Sequence, residues 1–433
     1  MNSQKDVLKF DAMVIGGGIA GEEASLNLAR MGFSIILVEK DYSIGGKMVH
    51  LSKVFPTLDC SACISTPKMS ETTREANITI QTNSEVKEIQ RAGEVFTGRI
   101  VVKPRYVNED ACTGCQLCEN VCPVNVDDQY QYDLVGRKAI YIPFSIALPK
   151  VAAIDIDNCL RCGACERACP ADAVDFSQEP REIPFEVKSI LIATGYNLFP
   201  AEKKVEYGFN RFKNVIHAMQ MERQLVPTRP FNSVLRPGDG KKPDNIAYVL
   251  CTGSRDQSVG NPICSQICCM YSVKQAQLLL GALPMADVTI YYIDIRAYGK
   301  GFQEFYKQTQ DMDVTFVKGK IAKIEEKGNG DLTLFYEDIE NGGKVKKADH
   351  DLVVLSVGLM PNHEVAGAFS HETIELDPFN YIKQVDPLLN PALTSIDGVF
   401  VAGTAAGPMD IPDTILSAGG ASAEVASYIR RLK

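Results

Sequence analysis

"FDAMVIGGGIAGEEASLNLARMGFSIILVEK", residues 10–40, is the stretch on which the fold turns. An apolar strand breaks at Gly16, Gly18 and Gly21, continues with a helical apolar period, and returns to a strand ending at Glu39. That is a complete βαβ unit. The glycines let the turn tighten and let the backbone approach a pyrophosphate at the positive end of the helix. Glu39 is spaced to bond an adenosine ribose hydroxyl, and Lys40 beside it is grouped with the cofactor contacts. A purely structural glycine turn is the rival reading, and the flanking strands and the spaced acid weigh against it. Gly45, Gly46 and Lys47, in "SIGGKM", follow where flavoproteins bring backbone against the cofactor.

Three later segments say which dinucleotide is expected. "SILIATGYNLFP" (189–200), with Ala193, Thr194 and Gly195, and "LVVLSVGLMPN" (352–362) look like the strands by which two-dinucleotide-domain flavoproteins leave and re-enter the flavin domain. "GVFVAGTAAG" (398–407), with Gly403 and Thr404, looks like a second flavin-contact strand. Together they favour FAD. Such flavoproteins usually carry an acid where Thr404 stands, so the contact at that point departs from the pattern. The run from Met409 reads as a C-terminal helix whose N-terminus faces the flavin and favours an anionic reduced ring, with Ile411 grouped with the cofactor contacts; a packing helix is the plainer reading.

Between these halves, "CTGCQLCENVCP" and "CLRCGACERACP" both read C-x2-C-x2-C-x3-C-P, the spacing of a two-cluster bacterial ferredoxin. In that arrangement the fourth cysteine of each run serves the other cluster. Cys112, Cys115, Cys118 and Cys169 are therefore expected to hold one 4Fe-4S cluster, and Cys159, Cys162, Cys165 and Cys122 the second. Zinc is the alternative for paired CxxC runs, and the proline closing each quartet argues against it. Residues 124–158 read as a loop or hairpin on the surface of this insert.

After the first crossover, "DNIAYVLCTGS" opens a second nucleotide-type domain and "DVTIYYIDIRAY" supplies its next strand. No GxGxxG turn lies between them. Cys251, Cys264, Cys268 and Cys269 stand there instead, in the pattern C-x12-C-x3-C-C. A third, unusually ligated 4Fe-4S cluster is the preferred reading, with buried inert thiols as its rival. "QICCMYSVKQAQLLL" reads as a helix that would put Cys264 and Cys268 on one face. Cys60 and Cys63, in "CSAC", are a redox dithiol beside the ring or a source of a ligand for the third cluster; both readings stay open.

Composition narrows the class. A chain of 433 residues with 45% hydrophobic and 23% charged residues is expected to be an ordinary multi-domain globular protein. Its start lacks a signal peptide's apolar core, so a cytoplasmic location is expected, and fourteen cysteines then point to metal or redox chemistry rather than disulfides. "IPFSIALPKVAAI" is cut by prolines and Lys150, so no direct membrane insertion is expected. A net charge of -9 without a basic stripe argues against nucleic acid. His50, His217, His350, His363 and His371 are scattered, and no acid–base constellation forms around them.

With "FPTLDCSACISTPKM", both quartets, "CTGSRDQSVGNPICSQICCMYSVKQA" and the C-terminal flavin segment in view, the chain resembles the A-type subunit of heterodisulfide reductase along nearly its whole length. Longer members carry an N-terminal domain and a C-terminal ferredoxin domain, so this chain reads as a short core version. It is similar also to the flavoprotein subunit of quinone-interacting membrane oxidoreductase complexes. The resemblance implies an α/β fold of two Rossmann-like domains of thioredoxin-reductase type with a 2x4Fe-4S ferredoxin insert. The expected boundaries are 1–104 and 361–433 for the flavin domain, 105–180 for the insert, 181–242 for the return and crossover, and 243–360 for the second domain. The resemblance also implies that a cluster replaces the nicotinamide site and that Lys274 lies near the flavin N5. It implies a multi-subunit complex with iron-sulfur and disulfide-reducing partners. The donor would be a hydrogenase, a formate dehydrogenase or ferredoxin, the electron flow flavin-based bifurcation or confurcation, and dimerisation usual. The rivals are a stand-alone NAD(P)H-dependent disulfide reductase, a non-bifurcating relay module, and the flavoprotein of a quinone-linked membrane complex.

Overall fold

The computed structural model describes residues 7–432. It divides into two compact units, one made of residues up to 49, 64–196 and 361 onward, the other of 50–63 and 197–360.

In the first unit Leu8–Ile15 is a central strand with its last four residues buried, as a strand covered on both faces must be. It pairs in parallel with Ile35–Val38 on one side and with Phe185–Ile192 on the other. Ile78–Gln81 extends the parallel order beyond Ile35–Val38, and Val399–Val401 pairs in parallel with Ile190–Ile192. Ser84–Ala92 and Val95–Val102 add an antiparallel edge, completing seven strands. Helices Ile19–Arg30 and Ile411–Arg431 share one apolar core with one face of this sheet.

The insert hangs from this unit and keeps its own small core around Val107, Ile140, Ala152, Ile154 and Val174. Residues 124–158 do form a hairpin, Asn125–Asp127 against Gly136–Lys138, followed by Ile140–Tyr141 against Ala153–Ile154. It is not a free surface excursion. Tyr130 stacks on Phe144 at 5.0 Å and its hydroxyl donates to the Val49 carbonyl at 3.0 Å.

The second unit holds a seven-stranded sheet in the order Val215–His217, Leu352–Val357, Asn245–Thr252, Asp287–Tyr292, Thr315–Glu326, Leu332–Asp338, Lys344–His350. The first five are parallel and the last two run back antiparallel. The unit begins at 197, earlier than the expected 243, because Val215–His217 is an edge strand of its sheet and Ala218–Leu225 packs on helix Cys268–Ala282. Residues 50–63 also belong to it, although they lie inside the stretch expected to be flavin domain. Phe55 meets Phe302 edge-on at 5.4 Å, which gives that segment an apolar foothold.

Candidate cofactor sites

The glycine turn has the geometry of a dinucleotide cradle. A Cβ on Gly21 would sit 1.8 Å from the Gly16 carbonyl oxygen, and one on Gly16, at φ +110°, would sit 2.3 Å from that of Ala193. Gly18 caps the following helix without a side chain in the way, with Gly46 as its nearest neighbour. Gly45 N donates to the Gly17 carbonyl at 2.7 Å, so "SIGGKM" closes on the first turn. Glu39 is buried and takes bonds from Gly17 N at 2.6 Å and Asp41 N at 2.8 Å. Each of its oxygens keeps a lone pair for a ribose hydroxyl. Burial, and next the neighbouring Asp41, push its carboxyl up to about 7. Lys40 is exposed, whereas burial holds the ammonium of Lys47 below its ordinary value.

Ala193, Thr194 and Gly195 end the central strand pair beside this turn. Asn362, which sequence reasoning missed, fixes them: its side chain donates to the Thr194 carbonyl at 2.9 Å and its own carbonyl accepts from the Thr194 hydroxyl at 3.1 Å. Thr404 is buried in a short turn after Val399–Val401, and Gly403 N donates to Ser417 Oγ at 3.0 Å. Ile411 starts the last helix, two residues beyond the Met409 where the sequence reading began it, with Asp410 accepting from Asp413 N at 2.9 Å. Asp410 is the buried acid that caps this helix, and burial raises its carboxyl. Glu22 was also missed; one buried carboxyl oxygen lacks a partner and burial raises it to about 8.

Two short helices, Leu117–Val121 and Ala164–Ala168, each start from a left-handed residue, Gln116 and Gly163, and each end on a cysteine. That repeat turns each fourth cysteine away from its own triplet. One cavity is lined by Cys112, Cys115, Cys118 and Cys169, a second by Cys122, Cys159, Cys162 and Cys165. Among the described residues no three His, Cys, Asp or Glu side chains converge as ligands of a single ion. The thiols enclose space instead, which fits a polynuclear group. The insert is tied to the flavin loop: Leu148 N donates to Ser43 Oγ at 2.8 Å and Ile44 N to the Leu148 carbonyl at 3.2 Å.

In the second unit the cysteines gather where a nucleotide turn would lie, between a strand's C-terminal end and the next helix. Cys251 sits at a bulge near the end of Asn245–Thr252, at φ +58°. Cys268 and Cys269 open helix Cys268–Ala282, and Cys264 stands in the loop before it. The expected shared helical face for Cys264 and Cys268 is therefore corrected: Gln266 is left-handed, at φ +63°, and breaks the chain between them. The four thiols are close enough to act on one another electrostatically. Burial pushes Cys251 up to about 11, Cys269 to about 12 and Cys268 well above the ordinary thiol range.

Cys63 N donates to Cys60 Sγ at 3.3 Å as helix Ser61–Arg74 begins, and Cys63 is exposed. The bond from the Cys63 thiol lowers Cys60, and the same contact raises Cys63. Lys274 is not a surface lysine. Its ammonium pairs with Glu222 and donates to the Lys53 carbonyl at 2.9 Å, with both side chains 2% exposed. Glu222 also accepts from Gln275 at 2.5 Å and from the Ser52 backbone and hydroxyl at 2.8 and 2.6 Å. Glu222 is a third residue that sequence reasoning missed, since one acid in a polar-looking helix carries no signal of burial.

Residues 11–102 match the family model described as FAD dependent oxidoreductase, and residues 111–174 the 4Fe-4S dicluster domain. The fold is like that of T. acidophilum thioredoxin reductase, at TM-score 0.55 and 14% identity over 98% of this chain and 99% of that one. Fold and matches define an oxidoreductase of the iron–sulfur flavoprotein class. Over 96% of its length the chain is 44% identical to the A-type subunit of the H(2):CoB-CoM heterodisulfide,ferredoxin reductase of Methanothermobacter marburgensis. It is 46% identical over the same share to the A-type subunit of the H(2)/formate:CoB-CoM heterodisulfide,ferredoxin reductase of Methanococcus maripaludis. The chain is a relative of these heterodisulfide reductase subunits and spans 63% of the length of each of the two. No helix among the described residues is long and apolar enough to cross a membrane.

Proposed function

We propose that the chain is an electron-transfer subunit, holding FAD in the first unit, two 4Fe-4S clusters in the insert and a third in the second unit. FAD exchanges electrons in pairs or singly, and iron–sulfur clusters pass them one at a time. The observation that carries the reading is the second unit: Cys251, Cys264, Cys268 and Cys269 occupy the strand-to-helix turn that a pyridine nucleotide would need. A hydride donor then has no pyrophosphate cradle there.

Gly16, Gly18, Gly21, Gly45, Gly46 and Glu39 would hold the dinucleotide, with Lys40, Lys47, Ala193, Thr194, Gly195, Gly403, Thr404 and Ile411 around it. The two cysteine-lined cavities would hold the insert's clusters, Cys169 and Cys122 each closing the other run's triplet. The bond that Leu148 N donates to Ser43 and the one its carbonyl accepts from Ile44 N keep the insert fixed against the flavin loop, which favours transfer between them. The names of the relatives support a place in a heterodisulfide reductase-like complex; a hydrogenase, formate dehydrogenase or ferredoxin as donor and bifurcation as its mode are part of the proposal. Cys60 and Cys63, bonded to one another with one thiol exposed, are assigned as a working dithiol.

Iron and acid-labile sulfide per FAD on anaerobically purified protein test this, with EPR after reduction. Roughly twelve irons per flavin, at four per cubane, are expected. Roughly eight would remove the third cluster, and bleaching of the flavin by NADH or NADPH would restore the nicotinamide reading.

A further inference from the structure

Glu22 follows the last glycine of the cradle and is 1% exposed. Its Oε1 has no hydrogen-bond partner among the described residues. A buried polar group without a partner keeps the full cost of its lost water, so the chain alone gives no reason for an acid here. Glu39, also buried, takes two backbone bonds. Glu22 stays open for a partner the chain does not supply.

The helix sets where that carboxyl points. Glu22 N donates to the Gly18 carbonyl at 2.9 Å, so the two residues stand one turn apart on one face of Ile19–Arg30. Side chains of a helix lean toward its N-terminus and cover the turn before their own Cα. Glu22 therefore leans over Gly18. Neither Gly18 nor Gly46 has a side chain to fill that ground, and a Cβ on Gly18 would lie 3.7 Å from Gly46 Cα. Gly18 caps the helix without a side-chain acceptor, so the first N–H groups of the helix face the same ground.

An unpartnered buried carboxyl is held as the neutral acid, because burial disfavours the charged form. Two charged groups act on it from neighbouring elements. Lys68, of helix Ser61–Arg74, favours the ion and Glu39, at the end of its strand, opposes it. Lys68 is paired with Glu23, and burial prevails, pushing the Glu22 carboxyl up to about 8. At pH 7 the group thus keeps an O–H to donate. A dinucleotide brings the matching acceptors, the oxygens of two phosphates, to the N-terminus of this helix.

We propose that Glu22 is a further binding residue of the flavin site, its carboxyl O–H donating to the pyrophosphate of FAD. FAD then holds one proton on the chain. The inference rests on the reading that the glycine turn binds FAD.

The test is release of FAD when the full, FAD-loaded chain is diluted, read by fluorescence of the freed flavin in wild type, Glu22→Gln and Glu22→Leu. The free chain loses the Glu22 proton above about pH 8 and the bound chain keeps it, so affinity falls as the pH rises. Between about pH 7 and about pH 9 the Kd of wild type is expected to rise roughly tenfold more than that of Glu22→Gln. The Gln variant keeps a donor that does not titrate, so it matches wild type at pH 7 and shows only the slope of the groups that remain, Glu39 among them. Glu22→Leu removes the donor, so its Kd rises at least about tenfold at pH 7, while its resistance to denaturant holds or improves because the unpartnered oxygen is gone. Superimposed pH profiles of wild type and Glu22→Gln, or a Leu variant that holds FAD as tightly as wild type at pH 7, overturn the proposal while FAD stays in the site. A wild-type chain that purifies without flavin and takes none up overturns the FAD reading as well.

Discussion

Replacing Lys274 by Met gives the most direct probe of how the second unit is held together. Both members of the Lys274–Glu222 pair are 2% exposed, and Glu222 stays ionised in the native chain. Burial pushes its carboxyl up, but the Lys274 charge and the bonds from Gln275, Lys274 and Ser52 outweigh it, leaving it below the usual value. Removing one partner of such a pair costs about 3–5 kcal/mol, because the other charge stays buried without compensation. At about 1.4 kcal/mol per decade, hydrogen exchange in helix Cys268–Ala282 and in residues 50–59 is expected to speed up by roughly a hundred- to a few thousand-fold near pH 8. Without Lys274 the Glu222 carboxyl in the folded variant lies above its unfolded value, so the penalty is largest at high pH and shrinks as the pH falls and the group takes a proton. The double variant Glu222→Gln, Lys274→Met should recover most of the protection. Mass-spectrometric exchange on the FAD-loaded chain reads all of this. Exchange of the single variant within about tenfold of wild type at pH 8 would refute the reasoning.

Gly21→Ala brings a methyl group against the Gly16 carbonyl, 1.8 Å away without relaxation, so FAD per chain after purification should fall at least tenfold by absorbance; undiminished flavin would contradict the cradle. Cys169→Ser and Cys112→Ser should abolish the same EPR signal, and Cys122→Ser and Cys159→Ser the other, whereas loss paired by sequence run would contradict the exchanged ligands. His350 is held down to about 4 by burial, with its ring nitrogens 2.9 Å from the Tyr291 hydroxyl and 2.6 Å from Asn245 Oδ1. The unfolded chain binds the proton first, so stability present above about pH 6.5 falls by about 3 kcal/mol toward pH 4; His350→Gln should flatten that slope in denaturant unfolding followed by tyrosine fluorescence. Alkylation mapped by mass spectrometry should find Cys60 more reactive than Cys63 at neutral pH despite its lower exposure, and equal rates would remove the dithiol assignment.

The parts of this molecule legible from sequence are those written in short range. The turn from Gly16 to Gly21 is read from residues that touch within a few positions, and Glu39 takes its bond from Gly17, inside the same βαβ unit. The two quartets are legible because each cavity is lined by closely spaced thiols plus one at a fixed remove. What spacing could not reveal depends on contacts far apart in the chain. Nothing local marks residues 50–63 as part of the second unit; their place is set by Ser52 and Lys53 meeting Glu222 and Lys274, some 170 and 221 positions away. The helical period around Cys268 ran on through Cys264 because a left-handed Gln266 leaves no mark on apolar patterning. Asn362 is an ordinary loop residue until its partner arrives.

The excursion of residues 50–63 into the second unit has a consequence in time. Translation proceeds at roughly 5–20 residues per second, and about 300 further residues must emerge before the last strand of that unit is available. For about 15–60 seconds the segment bearing Cys60 and Cys63 is out of the ribosome ahead of the completed sheet of the unit that will receive it. Through that interval its two thiols are in the hands of whatever protects a nascent chain, and the newly made protein is most open to oxidation before it is whole.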